Sequence, residues 1–134
     1  MFKYVKFERV TSLVTVYEFR GGNEDVKVNY FDVTVVSIES ESEIAINELI
    51  ASQPPSINCV EITKEEFKEI VKDSAQIERI RTVVKERIAS KYSIADEIAL
   101  MKRDSTDKKR VDYEAYVKEC IKKGDALKSE FGYH

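Results

Sequence analysis

The alternation of apolar and polar positions divides the chain near residue 40, with a β signal before that point and a mostly helical one after it. Residues 2–38 are rich in Val, Thr, Tyr and Phe, types that suit a pleated, half-buried surface. The spacing predicts a first strand over 3–10, with Val5 and Phe7 on one face. A second is expected over 12–20, with Leu13, Thr15, Tyr17 and Phe19 on one side and Val14, Val16 and Glu18 on the other. Arg20 to Asp25, with Gly21 and Gly22, then supplies the positive-φ positions of a reversal. A third strand is expected over 26–38. Its alternation starts as Val26, Val28 and Tyr30 and changes phase to Phe31, Val33 and Val35. A β-bulge at Tyr30-Phe31 accounts for the change, and so does a strand buried on both faces. The bulge is slightly preferred.

After the polar boundary Glu39–Glu43, a short helix is predicted over 42–52, ended by Pro54-Pro55. Ile57–Ile62 reads as a fourth strand, with Cys59 opposite Val60 and Ile62. Thr63 and Glu66 have the spacing of a capping box. The helix it opens carries Phe67, Ile70, Val71, Ile77, Ile80, Val84 and Ile88 at steps of three and four, and extends to Ser90. Unbroken, it is about 40 Å long; Asp73-Ser74-Ala75 is where it could divide in two. Ser93 is the expected N-cap of a further helix reaching Arg103, with Ile94, Ile98 and Met101 as one stripe. A last helix is predicted over 110–129, with Tyr113, Val117, Cys120, Ile121 and Leu127 on its apolar side, and the final two helices form an αα-hairpin.

These elements give an α+β class: a small antiparallel β-meander of three or four strands, then a long helix and a C-terminal helical hairpin. The division expected is a β-rich part over 1–62 and a helical part over 63–134, in one compact unit with an extended helical arm.

Composition narrows the function. Of 134 residues, 43% are hydrophobic, enough for a core, and 35% are charged, which implies much solvated helix surface. The net charge of −3 comes from interleaved Lys and Glu, so no cationic field marks nucleic acid as the main ligand. No run approaches a membrane span. Met1 to Lys6 enters a strand pattern directly, so a signal peptide is not expected. Cys59 and Cys120 are then reduced, buried structural thiols in the simplest reading, with a disulfide or a nucleophile as the alternative.

Candidate chemistry is sparse. The single histidine is His134. Asp96-Glu97 is an acidic pair, but helix neighbours diverge by about 100° and do not converge on one atom. Glu65, Glu66 and Glu69 suit the N-terminal end of a helix dipole better than a metal. Glu39, Glu41 and Glu43 lack the glycine and bidentate pattern of a calcium loop. Arg79, Arg81, Lys85 and Arg87 are interspersed with Glu78 and Glu86 as a mixed, solvated face. No catalytic residue, cofactor or metal is expected.

Seven tyrosines and six phenylalanines without a tryptophan are more informative. Tyr113 and Tyr116, three apart on the last helix, are either core or contact surface. Phe131 and Tyr133 lie in the terminal hexapeptide, and either dock back on the body or insert into a neighbour.

Tyr92-Ser93-Ile94-Ala95-Asp96-Glu97-Ile98-Ala99-Leu100, then Lys102-Arg103, a polar gap and Tyr113-Glu114-Ala115-Tyr116-Val117-Lys118-Glu119-Cys120, resembles a C-terminal helical hairpin of small tailed-bacteriophage tail or virion-associated proteins. The resemblance covers less than a quarter of the chain and carries no active-site residues. It implies a virion component or an assembly factor. The leading expectation is a non-enzymatic structural protein mediating subunit contacts in the tail or neck region of the virion, assembled in the host cytoplasm and oligomeric with itself or with other virion proteins. The contact residues expected are Tyr92, Ile94, Ile98, Met101, Tyr113, Tyr116, Val117, Phe131 and Tyr133. The alternatives are a tail or tail-fibre assembly chaperone that leaves the particle, and a small inhibitor or regulator that binds a host protein.

Overall fold

A computed structural model describes residues 1–32 and 34–134; the expected inward position of Val33 lies outside the described residues. The elements are β1 (Phe2–Lys6), β2 (Val10–Ser12), β3 (Thr15–Tyr17), β4 (Lys27–Phe31), β5 (Val35–Glu39), α1 (Glu43–Ala51), a 3-10 turn (Pro55–Ile57), β6 (Val60–Ile62), α2 (Lys64–Val71), α3 (Ala75–Lys91), α4 (Ile94–Met101) and α5 (Lys108–Ser129). The protein is α+β: a four-stranded antiparallel sheet with five helices, one of them before β6 and four after it, including a long one and the C-terminal pair. The sheet order is β4-β5-β1-β6, so β1 lies between β5 and β6 rather than at the start of a sequential meander. The chain folds into two compact units. One holds Met1–Ile77 with Phe131–Tyr133, the other Glu78–Glu130 with His134.

In the first unit both faces of the sheet are covered. Register pairs Val5 with Val36 and Lys3 with Ile38, which puts these side chains on one face. There Val5, Val36 and Ile38 pack with Ile46 of α1, Ile57, Phe7, Phe19 and Val26. On the opposite face Tyr4, Phe31, Val35 and Ile62 pack with Phe67 and Val71 of α2 and with Ile77. Lys3 ties the first face to α1, donating to Asn47 at 2.8 Å and pairing with Glu43 at 3.2 Å.

Several boundaries differ from the pattern reading. The expected strands over 3–10 and 12–20 are replaced by the short β1 and a separate two-stranded hairpin, β2-β3. Leu13, at φ 52°, and Val14 form its tip and are 99% and 97% exposed. The long third strand is two strands, not one bulged strand. Asp32 takes φ 47°, Thr34 N–H donates to the Phe31 carbonyl at 3.2 Å, and the chain reverses. β5 is buried at Val35, Val36, Ser37 and Ile38, so burial on both faces also contributes to the lost alternation. Ile57 falls in the 3-10 turn and Asn58 in the left-handed region at φ 48°, which shortens the expected fourth strand. The long helix is divided after Val71. Ser74 is buried, its N–H donates to the Val71 carbonyl at 2.9 Å, and its hydroxyl accepts from Ile77 N–H at 3.4 Å. Thr63 caps α2 through Glu66 N–H at 3.1 Å.

In the second unit, α5 approaches the rest of α3 at Gly124. A Cβ there would stand 2.6 Å from Val84 Cγ2, so only glycine fits without movement. Cys120, one turn earlier on α5, is buried.

Candidate functional site

The second unit positions most of the expected contact residues, and it separates them into two groups. Ser93 starts α4 with a reciprocal capping box. Its hydroxyl accepts from Asp96 N–H, and the Asp96 carboxylate accepts from Ser93 N–H, each at 3.1 Å. Fixing that first turn fixes which face of α4 points outward. Leu100 is turned inward and is 9% exposed. Ile94, Ile98 and Met101, spaced four and three apart on the other side, are 77%, 55% and 53% exposed. Asp96 and Glu97 lie in the first turn, and Lys102 and Arg103 follow the last.

The tyrosines form the other group, and they join the helices of the unit. Tyr92 stands edge-on to Tyr113, with ring centroids 5.0 Å apart, and tilted to Tyr116 at 5.8 Å. Tyr113 OH donates to Glu97 of α4 at 2.8 Å, and Tyr116 OH donates to the Arg87 carbonyl of α3 at 3.0 Å. Lys91 Nζ lies 4.4 Å from the Tyr116 ring centroid, within cation–π range. The Glu97 hydrogen bond, partial burial and the Glu97 charge all push the Tyr113 phenol above its ordinary value, so at neutral pH it remains a donor. Val117, the residue after Tyr116 on α5, is half-buried. A shallow depression of about 400 Å³ runs along the joint, lined by Lys91, Tyr92, Ala99, Leu100, Arg103 and Asp112 among others.

Phe131 and Tyr133 lie in the first unit. Phe131 meets Phe31 edge-on at 5.8 Å, and Lys68 Nζ lies 5.1 Å from the Tyr133 ring centroid. The intervening Gly132 is buried, and its carbonyl accepts from Tyr4 OH at 2.9 Å. Sequence reasoning left this anchor open. Its signal was a glycine between two terminal aromatics, and Gly132 does take φ +77°. The hairpin tip Leu13-Val14 was missed outright, because neither residue is a turn former.

The remaining chemistry is dispersed. A recess of about 610 Å³ in the first unit is edged by Glu24, Asp25, Glu39 and Glu41, but also by Lys27 and the N-terminal ammonium, which donates to the Ser40 carbonyl. Among the described residues no group of three or more His, Cys, Asp or Glu side chains could hold a metal ion, and no helix is long and apolar enough to cross a membrane. Both cysteines are free thiols, and burial pushes the Cys59 thiol up, away from the reactive thiolate. No family model matches the chain, and neither does any curated protein or solved structure.

Proposed function

We propose that this protein works by contact, as a non-enzymatic structural component of a tailed-phage virion that joins neighbouring subunits in the tail or neck region. The contact reading rests on α4, where Ile94, Ile98 and Met101 form an apolar stripe and each is more than half exposed. The phage setting rests on the resemblance of residues 92–120 to helical hairpins of such proteins.

The neighbour favoured by charge is a second copy. α4 carries Asp96 and Glu97 at its start and is followed by Lys102 and Arg103. Two such helices lying antiparallel about Ile98 place the acids of one beside the cations of the other, and apolar stripe against apolar stripe. This is the self-complementary pattern of a two-fold contact. Fully burying a large aliphatic side chain contributes roughly 1.5–3 kcal/mol. Three such side chains make a weak contact alone and a firm one when repeated through an assembly.

The test is solution mass by light scattering over a concentration series, for the natural chain and for Ile98→Asp. The proposal expects association in the first and its loss in the second, with the helical signature of both unchanged. Presence of the protein in purified particles separates a virion component from an assembly chaperone.

A further inference from the structure

The β2-β3 hairpin breaks two local rules at its tip. Its two-residue turn is Leu13-Val14, and Leu13 takes φ 52°. Such turns ordinarily place Gly, Asn or Asp at positive φ, where a Cβ is strained. Both aliphatic side chains are also almost fully exposed. Glycine at the first position would relieve the backbone, and a polar residue at the second would suit water. A strained, exposed aliphatic pair therefore points to a function of the tip.

Polarity is graded along the hairpin. Residues 10–17 carry no charge in a chain that is 35% charged. Behind the aliphatic pair come Ser12 and Thr15, which face each other across the hairpin, and then the partly exposed Tyr17. At the rise of a strand Tyr17 lies about 10 Å behind the tip. Charge begins at the base, where the exposed Arg9 and Arg20 lie 3.5 Å and 3.7 Å from the one carboxylate of Glu18, while Glu8 accepts from Asn58. Apolar groups foremost, then hydroxyls and an aromatic ring, then guanidiniums, is the order that a bilayer surface presents from its acyl chains out to its phosphates.

The shape of the tip agrees. It is convex and open on all sides, and fluid acyl chains close around such a knob without a preformed pocket. The two recesses described above are edged by charged residues, so neither suits an aliphatic tip from a second copy. We propose that Leu13 and Val14 insert into the headgroup–acyl boundary of a lipid bilayer, as a peripheral contact that does not span it. Only the tip enters. The unpaired backbone groups on the hairpin's edges stay at headgroup depth, where water satisfies them. Two side chains give weak, reversible binding. The inference does not rest on the α4 contact and uses a different element.

The experiment is flotation of the full chain with phosphatidylcholine vesicles carrying a minority of phosphatidylserine. The natural chain is expected to float, and Leu13→Gly with Val14→Ser to lose binding by roughly tenfold or more. That double variant gives the turn the residues it ordinarily takes, so its melting temperature is expected not to fall. Ile98→Asp is expected to float like the natural chain, so failure at α4 and failure at the tip are read separately. A natural chain that does not float, or a double variant that floats equally well, overturns the proposal.

The chain has no tryptophan, so Leu13→Trp supplies a single reporter. Its emission is expected to shift to the blue on these vesicles and to be quenched by lipids brominated on their acyl chains. Emission that vesicles leave unshifted, or that shifts with protein concentration alone as a second copy covers the tip, overturns the proposal.

Discussion

The Tyr4 hydroxyl donates to the Gly132 carbonyl at 2.9 Å, a buried hydrogen bond that spans 128 positions of sequence. It ties the first strand to the segment that follows α5. Tyr4→Phe keeps the stack on Phe67 and leaves the Gly132 carbonyl without this donor. The expected loss is about 1–2 kcal/mol in urea denaturation. Gly132→Ala is expected to cost more, because it adds a steric clash to an unfavourable φ.

The same bond sets an alkaline limit. Burial first, and then the Glu65 carboxylate, raise the Tyr4 phenol above its ordinary value. A raised folded pKa means that the neutral phenol is favoured by folding. Its contribution is complete below the unfolded tyrosine value of about 10 and is lost as pH rises through the folded value. Hydrogen exchange at the tail should therefore accelerate above that range in the natural chain. In Tyr4→Phe it should already be fast at neutral pH.

Gly124 makes a separate prediction for the second unit. Gly124→Ala places a methyl group 2.6 Å from Val84 Cγ2. Overpacking of this kind costs about 1–3 kcal/mol. The double variant Gly124→Ala with Val84→Ala should recover part of that loss, giving a coupling energy in thermal or chemical denaturation. Additive losses would mean that the two positions do not share the contact.

Tyr113 and Tyr116 are expected to affect stability before association. Tyr113 reaches Glu97 and Tyr116 reaches the Arg87 carbonyl, and both rings pack on Tyr92. Alanine at either position should lower the melting temperature of the second unit, by an amount corresponding to roughly 2 kcal/mol or more. Ser93→Ala, which removes one arm of the capping box, should cost about 1 kcal/mol.

Much of this architecture was legible from local chemistry. Ser93 and Asp96 mark a helix start wherever they occur at that spacing, and Thr63 does the same for α2. The stripe read on α4, Ile94, Ile98 and Met101, is exposed, and α4 instead turns Leu100 inward and meets α5 through Glu97 and Tyr113. Segregation of β-type residues before helical ones was enough for the α+β class. What escaped the pattern had long-range causes. The reversal at Asp32 and the hairpin tip at Leu13-Val14 carry no glycine or proline, so two turns read as continued strand. β5 is buried on both faces, which erases the period of two. The break at Ser74 was visible only as an option, because a buried serine resembles any small residue at helical spacing. The tail site could not be read locally either, since its walls come from Phe2, Tyr4, Phe31 and Phe67, and only the fold brings them together.

The measurement that tests the contact reading most directly is light scattering of the natural chain and of Ile98→Asp across the same concentration series. The natural chain should exceed its 15.5 kDa monomer mass and rise toward a defined multiple as concentration increases. Ile98→Asp should remain at the monomer mass with unchanged circular dichroism. A natural chain that stays at the monomer mass at every concentration, or an Ile98→Asp chain that associates equally well, would contradict the assignment of α4 as the contact surface between copies.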